Sequence, residues 1–203
     1  MEKKTADVVT YISLAVIVIS LAFIGTNLTG RATTDTGIVN ITIESSSSIN
    51  FTTDLIDFGS GRTYPNSTYG VMQTNGSGAR EGGNWTLVSN GFNITNNGNG
   101  NLTLNISSNV TAETFIGGTA GGGPIFGYMI DNSTATSGSA CLNATYPEDQ
   151  LTWGNFSTTT QEICTVFGFL SGDDSVAVDV YLKIPQDATP GYRAAQITAT
   201  GTS

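Results

Sequence analysis

A hydrophobic run near the amino terminus limits what this chain can be. It extends from Val8 to Ile24, soon after Lys3 and Lys4, with only four hydroxyl-bearing residues inside it. A helix over this run is about 26 Å long, and one continued to Leu28 is about 31 Å, close to the hydrocarbon thickness of a bilayer. Because the run lacks the polar stripe of a helix on a soluble core, we predict a membrane-spanning or filament-core helix within residues 1–28.

The alternative for this run is a cleaved signal peptide. Such a peptide has an apolar region of about 7 to 15 residues with a small-residue cleavage site soon after it, whereas the nearest candidate, Gly30-Arg31-Ala32, lies late. The lysines precede the run, so the positive-inside rule places the amino terminus in the cytoplasm. We expect residues 29–37 to be a linker and residues 38–203 to form an extracellular domain at the cell surface.

Charge and composition narrow the function of the exported part. Seven basic residues against sixteen acidic ones give a net charge of -9, and no basic cluster follows Lys4, which argues against a nucleic-acid partner. The chain has no histidine, the usual general base and the commonest metal ligand. We therefore predict a non-enzyme without a cofactor. Calcium stays the alternative, because the carboxylates of Asp54 with Asp57, or of Asp173 with Asp174 and Asp179, suit that ion, although no spacing matches a known calcium loop. The adjacent pair Glu148 and Asp149 gives no evidence of the carboxylate separation that glycoside hydrolysis requires.

The chain has two cysteines, Cys141 and Cys164. In an exported chain thiols oxidise, so we predict a disulfide between them rather than two free thiols. Closing a loop of about two dozen residues stabilises the fold by roughly 3 kcal/mol in the chain-entropy treatment.

After residue 37 the hydrophobic pattern changes to a period of two. Val39, Ile41 and Ile43 alternate with polar residues, and the alternation returns clearly over residues 102–107 and 176–184. Turn signals such as NNGNG at residues 96–100 separate these segments. About eight strands and no convincing helix after residue 28 predict an all-β domain behind one N-terminal helix, a β-sandwich of immunoglobulin-like or jelly-roll type.

Asn-x-Ser/Thr sequons are the richest chemical signal. The chain has thirteen, where its composition gives roughly four by chance. In nine the middle residue is large and apolar, so in a strand the Asn and Ser/Thr share the outer face while the middle side chain is buried. We predict N-linked glycans on some of them; the alternative is an unmodified polar sheet face. The asparagines are Asn27, Asn40, Asn50, Asn66, Asn75, Asn84, Asn93, Asn101, Asn105, Asn109, Asn132, Asn143 and Asn155.

Several stretches resemble secreted, N-glycosylated β-sandwich proteins of archaeal cell surfaces. They are TGRATTDTGIVNITI, INFTTDLIDFGSG, GFNITNNGNGNLTLNISS and YLKIPQDATPGYRAAQITAT. The segment through NNGNGNLTL is also similar to the corresponding region of the TasA and camelysin group. That resemblance implies extracellular fibres in which a terminal strand of one subunit completes the sheet of the next. The implied donor strand is Ile38, Val39, Asn40, Ile41, Thr42 and Ile43.

The layout is similar to that of archaeal pilins and archaellins, which have a short basic leader, one long apolar helix and an exported β-sandwich. Their helices pack into the core of the filament. This chain departs from their pattern at Lys4, which is followed by Thr5, Ala6 and Asp7, because the leader peptidase usually meets a small residue directly after the basic one.

These features predict a structural subunit of an extracellular, pilus-like filament that assembles with copies of itself through its N-terminal region. Residues 8–24 would contact the membrane before or instead of assembly. One alternative is a singly anchored surface or S-layer-associated glycoprotein that does not polymerise. Another is an exported carbohydrate-binding module, which requires Trp85 or Trp153 to be exposed on a sheet face.

Overall fold

The computed structural model describes residues 12–17, 40–76, 78–131, 140–146 and 152–203. The chain divides into two compact units, Met1–Ile43 and Glu44–Ser203. In the first unit, residues 12–17 form a helical segment, α1, whose side chains are exposed. The rest of the helix predicted within residues 1–28 and the linker predicted at residues 29–37 lie outside the described residues. No helix in the described part of the chain is both long and apolar enough to cross a bilayer.

The second unit is mostly β, as the period-two pattern predicts. Apart from its strands, the described part of this unit has one short helix, α2 (Ala112–Phe115), and a 3-10 turn at Ala120–Gly122. The N-cap of α2 is Thr111, whose side chain accepts a hydrogen bond from the backbone of Thr114. The strands are β1 Ile49–Thr53, β2 Tyr69–Gln73, β3 Ala79–Glu81, β4 Phe92–Asn96, β5 Leu102–Ser108, β6 Ile125–Asp131, β7 Cys141–Ala144, β8 Gly154–Asn155, β9 Gln161–Phe167, β10 Ser175–Pro185 and β11 Ile197–Thr202.

The strands form two antiparallel sheets. The larger sheet has the order β1-β4-β10-β2-β3, with β6 paired to β10 and β8 paired to β6. The smaller sheet has the order β11-β5-β9-β7. At 11 residues, β10 is long enough to pair with β4 along its first part and β2 along its last part, while β6 runs along its other side.

One hydrophobic core receives side chains from both sheets. The inward positions of β5 and β10 are the alternating apolar residues of the sequence, such as Leu104 and Val178, and they are buried. Aromatic side chains fill the space near β6, where Phe126 and Tyr128 pack against Phe156 with ring centroids 4.4 and 5.0 Å away. The two clearest alternating segments, 102–107 and 176–184, are thus confirmed as strands with one buried face.

The strand predicted from residue 38 is absent from the described part of the segment. Residues 40–48 belong to no strand, and residues 38 and 39 lie outside the described residues. Ile41 is 82% exposed and Ile43 is 80% exposed. Alternation tells which side chains would share a face, but a strand also needs a hydrogen-bonding neighbour, and no described strand is paired with these residues.

Trp85 occupies a space that three glycines leave open. Its side chain is only 8% exposed, and a Cβ atom added at Gly61, Gly70 or Gly83 would overlap atoms of Trp85. None of the three has a positive φ, so here glycine is required for space rather than for backbone conformation. The indole therefore packs against the backbone itself.

We predict that Gly70→Ala destabilises the domain by about 1–3 kcal/mol, because the added methyl group overpacks the Trp85 site. Gly100→Ala is the matched control, since a Cβ there meets only Ser45 Oγ at 3.6 Å. Its effect should stay within about 0.5 kcal/mol. Urea unfolding of both variants measures this, and equal losses would contradict the packing described for Trp85.

Candidate functional site: the sequon surface and the open strand edge

The sequon asparagines are accessible wherever the structure describes them. Asn27 and Asn132 lie outside the described residues, and none of the other eleven is buried. Asn75, Asn93 and Asn105 are partly exposed. The fully exposed ones are Asn40, Asn50, Asn66, Asn84, Asn101, Asn109, Asn143 and Asn155. Access is a condition for glycosylation, and whether any of them carries a glycan stays a prediction.

In several sequon tripeptides the middle residue points into the core and the asparagine points to the surface, as expected. In the sequons that begin at Asn93, Asn101 and Asn105, the middle residue is buried while the asparagine is not. The same holds at Asn84, although that sequon lies in a loop. The sequon at Asn40 departs from the pattern, because its middle residue Ile41 is exposed.

Several sequon amides are oriented through their oxygen. Asn84 Oδ1 accepts the backbone N–H of Arg62 at 2.7 Å, and Asn109 Oδ1 accepts that of Gln196 at 2.8 Å. An N-linked glycan is attached through the amide nitrogen and leaves this oxygen as an acceptor. A glycan at either position is therefore compatible with the hydrogen bond that orients the side chain.

The predicted donor residues that are described lie open to solvent on both faces. Asn40 and Thr42 are exposed, like Ile41 and Ile43 between and after them. The two isoleucines are separated by one residue, so in an extended conformation they share a face. Residues 40–43 thus present a short apolar stripe that is not buried in this structure.

The smaller sheet ends at β11. Among the described strands β11 pairs with β5 alone, through a register that runs from Ile197 opposite Ser108 to Thr202 opposite Thr103. Its other edge presents backbone N–H and C=O groups of the kind that pair with an added strand. Near the start of β11 is a shallow groove, whose apolar lining comes from Phe51, Leu55, Ile56, Phe92, Ala195 and Ile197. Sequence reasoning identified neither this edge nor the groove, since both depend on which strands become neighbours.

The disulfide predicted between Cys141 and Cys164 is present. It joins β7 to β9, with the two Cα atoms 5.4 Å apart and both residues buried. The bond thus ties edge strand β7 to its neighbour in the smaller sheet. A disulfide is compatible with an oxidising, extracellular compartment.

The two tryptophans have different environments. Trp85 lies in the core, which removes it as an exposed platform for carbohydrate. Trp153 is partly exposed and packs against Tyr181, with ring centroids 5.2 Å apart. The sequence alone did not indicate Tyr181, which is distant in the chain.

The acidic residues considered for calcium do not form a cluster. Within the described residues, no three acidic or cysteine side chains are grouped so that they could hold a metal ion. Asp57 Oδ1 instead accepts the N–H of Gly59 at 2.7 Å in a local turn. Glu148 and Asp149 lie outside the described residues.

Asp179 is a buried carboxyl that the sequence pattern assigns to the outer face of β10. It is 4% exposed, and Thr74 Oγ1 donates a hydrogen bond to its Oδ1 at 2.6 Å. Burial raises the pKa of the Asp179 carboxyl; the hydrogen bond from Thr74 opposes this shift and the nearby Asp131 adds to it. The sequence could not show this burial, because it depends on the residues that cover this part of the sheet.

We predict that Asp179 makes the domain more stable in acid than at neutral pH, relative to Asp179→Asn. The pKa of Asp179 is raised in the folded state, so the protonated carboxyl contributes to stability. This contribution is fully present below the ordinary carboxyl pKa of about 3.9, and it is lost as pH rises through the raised value. The free energy of unfolding of the wild type minus that of the variant should therefore fall with increasing pH. Urea titrations between about pH 3.5 and pH 7 measure it; a difference that rises with pH would contradict this environment.

No known protein family matches this chain, and no curated protein or solved structure matches it significantly. The resemblance to the TasA and camelysin group, and to archaeal pilins, therefore stays a prediction.

Proposed function

We propose that the chain is a structural subunit of an extracellular filament, and that its Glu44–Ser203 unit is a glycosylated β-sandwich, immunoglobulin-like or jelly-roll, in the outer shell. The observation that carries the proposal is the exposed apolar stripe of residues 40–43, together with an edge of the smaller sheet that pairs with no strand among the described residues. In this proposal, a second copy of the chain binds each of these surfaces.

Burial of the apolar stripe at residues 40–43 against another chain would be energetically favourable. Burying an isoleucine side chain is worth about 1.5–3 kcal/mol, and both Ile41 and Ile43 are left in water. A neighbouring edge strand would also satisfy the backbone groups of the segment, which belongs to no strand here. Residues 38–43 are long enough to form a strand of ordinary length.

The acceptor in this proposal is the edge of β11 with the groove beside its start. The apolar part of the groove includes Phe51 and Phe92, which meet edge to face with centroids 5.7 Å apart, and Asp54 and Gln196 also line the groove. Leu55 at its rim is exposed, so further apolar surface remains available. A donor strand along β11 would place one of its faces toward this groove and the other toward solvent.

Packing of N-terminal helices is the other route to a filament. The apolar side chains of α1 are exposed, including Ile12, Leu14 and Ile17, and they need lipid or other helices around them. The helix would lie in the membrane before assembly, and in the filament core after it. A surface glycoprotein that stays anchored and never polymerises would use the same helix without the β11 edge.

Glycans complete the proposed shell. The chain has few charges, with 11% charged residues, so sugars on exposed asparagines would supply much of its solubility. The disulfide is consistent with this exported location. A carbohydrate-binding role for the domain is the second candidate, and the observation that favours it is the partly exposed pair Trp153 and Tyr181.

We predict that the double variant Ile41→Asp, Ile43→Asp does not assemble through the β11 edge, because two charged side chains would have to enter a groove that is lined by apolar side chains and by the acidic Asp54. The sequon at Asn40 is retained, since its first and third residues are unchanged. The measurement is electron microscopy of surface fibres from cells that express the variant, with the subunit identified by mass.

The matched control is Ser45→Asp, Ser47→Asp, which adds the same charge at nearby exposed positions outside the proposed donor strand. It should still form fibres. If both double variants assemble like the wild type, strand addition is wrong and helix packing becomes the route to the filament. If the wild type forms no fibres on cells that display it, the filament itself is wrong.

A further inference from the structure

We propose that the glycan on Asn155 lies against an aromatic pair formed by Trp153 and Tyr181, on the outer face of the larger sheet. The inference rests on the glycosylated surface in the proposed function, but not on polymerisation. The glycan on Asn155 would be held in a defined position, and it would be the ligand of the two aromatic rings.

Trp153 directly precedes β8, and it lies on the same side of the sheet as Asn155. Between them, Gly154 is buried, and a Cβ added to it would meet the rings of Tyr146 and Tyr128 in the interior. Side chains alternate along an extended chain, so the residues on either side of Gly154 point outward. Asn155 is accordingly exposed and Trp153 partly exposed.

Pairing across the sheet brings Tyr181 to the same place. Asn155 lies opposite Gly127 of β6, and Gly127 lies opposite Tyr181 of β10. Because directly opposed residues in an antiparallel sheet share a face, Asn155 and Tyr181 face the same side with a glycine between them. Neighbouring strands are about 4.8 Å apart, so the two residues are separated by roughly 10 Å.

Gly127, which lies between Asn155 and Tyr181 on the sheet, is buried. A Cβ built on it would be 3.6 Å from both Trp153 Cβ and Tyr181 Cβ, so both aromatic side chains rise beside it. Their ring centroids are 5.2 Å apart with an interplanar angle of 40°. A saccharide attached to Asn155 thus starts on one side of Gly127 and extends toward the aromatic rings of Trp153 and Tyr181.

The chemistry of this contact suits a pyranose ring. One face of such a ring carries mainly C–H groups, whose partial positive charge is attracted to the negative face of an aromatic ring. The hydroxyl groups at the rim of the sugar would remain in water or meet Gln73, which lies opposite Tyr181 on β2. Binding therefore removes apolar surface of both partners from water without burying polar groups.

Asn50 has the same setting without the aromatic rings. It is exposed on β1, an edge strand of the same sheet. The residue two positions before it is Ser48, and the side chains across the sheet are Thr95 and then Ser175. Asn50→Gln is therefore the control for Asn155→Gln.

The test uses the full-length glycoprotein from a host that glycosylates it. Mass spectrometry of the glycopeptide that contains Asn155 establishes occupancy first, and an unmodified Asn155 overturns the inference. The readout is acrylamide quenching of tryptophan fluorescence, because the chain has two tryptophans and Trp85 is buried. We expect stronger quenching in Asn155→Gln than in the wild type or in Asn50→Gln.

Thermal unfolding supplies an independent readout. We expect Asn155→Gln to lower Tm by about 2–4 °C, and Asn50→Gln to lower it by less. In a Trp153→Ala background the loss at Asn155 should shrink toward that at Asn50, as a double-mutant cycle requires for a direct contact. If Trp153→Ala does not fold, the quenching comparison still decides, since unchanged quenching in Asn155→Gln overturns the contact.

The outcomes separate this inference from the proposed function. Fibres that contain a glycosylated subunit with an unprotected Trp153 refute the contact and leave the filament intact. A glycan that protects Trp153 on a subunit that never forms fibres supports the contact and refutes polymerisation. Absence of sugar from every sequon peptide refutes both the contact and the glycosylated shell.

Discussion

The pairing of β10 with three strands at once holds the larger sheet together. β4 and β2 share one side of β10 end to end, and β6 occupies the other. Beyond the end of β2, Thr74 donates its N–H to Val180 O at 3.0 Å and accepts the N–H of Val180 on its Oγ1 at 2.9 Å. The same hydroxyl reaches Asp179, so one threonine satisfies backbone and side-chain groups on the central strand.

The edges of the two sheets differ in how they are covered. β7 is tied to β9 by the disulfide, and a glycan held on Trp153 and Tyr181 would lie on the sheet face beside β8. β11 has neither device among the described residues, although an unprotected strand edge invites pairing with other chains. In our account this edge is left open because a neighbouring subunit covers it with residues 38–43.

The sequence predicts best where periodicity and burial agree. β5 and β10 could be predicted because their apolar residues alternate and both sheets need an inward face. The disulfide could be predicted from the expectation that the chain is exported. Residues 40–43 show the limit of this reasoning. Their alternation predicts which side chains share a face, but it does not predict which strand would pair with them. Tyr181 shows another limit, because its position near Asn155 and Trp153 could not be predicted from the sequence. It is distant from both residues in the chain, and it faces Asn155 only across β6.

The most direct test of the account is a helical reconstruction, by electron cryomicroscopy, of fibres isolated from the surface of native cells. We expect the fibre to be built from this chain, with residues 38–43 of one subunit hydrogen-bonded along β11 of the next. The side chains of Ile41 and Ile43 should then be buried at the subunit interface. A fibre of this chain in which β11 faces solvent would contradict strand addition, and surface material that contains the chain only as separate subunits would contradict the filament.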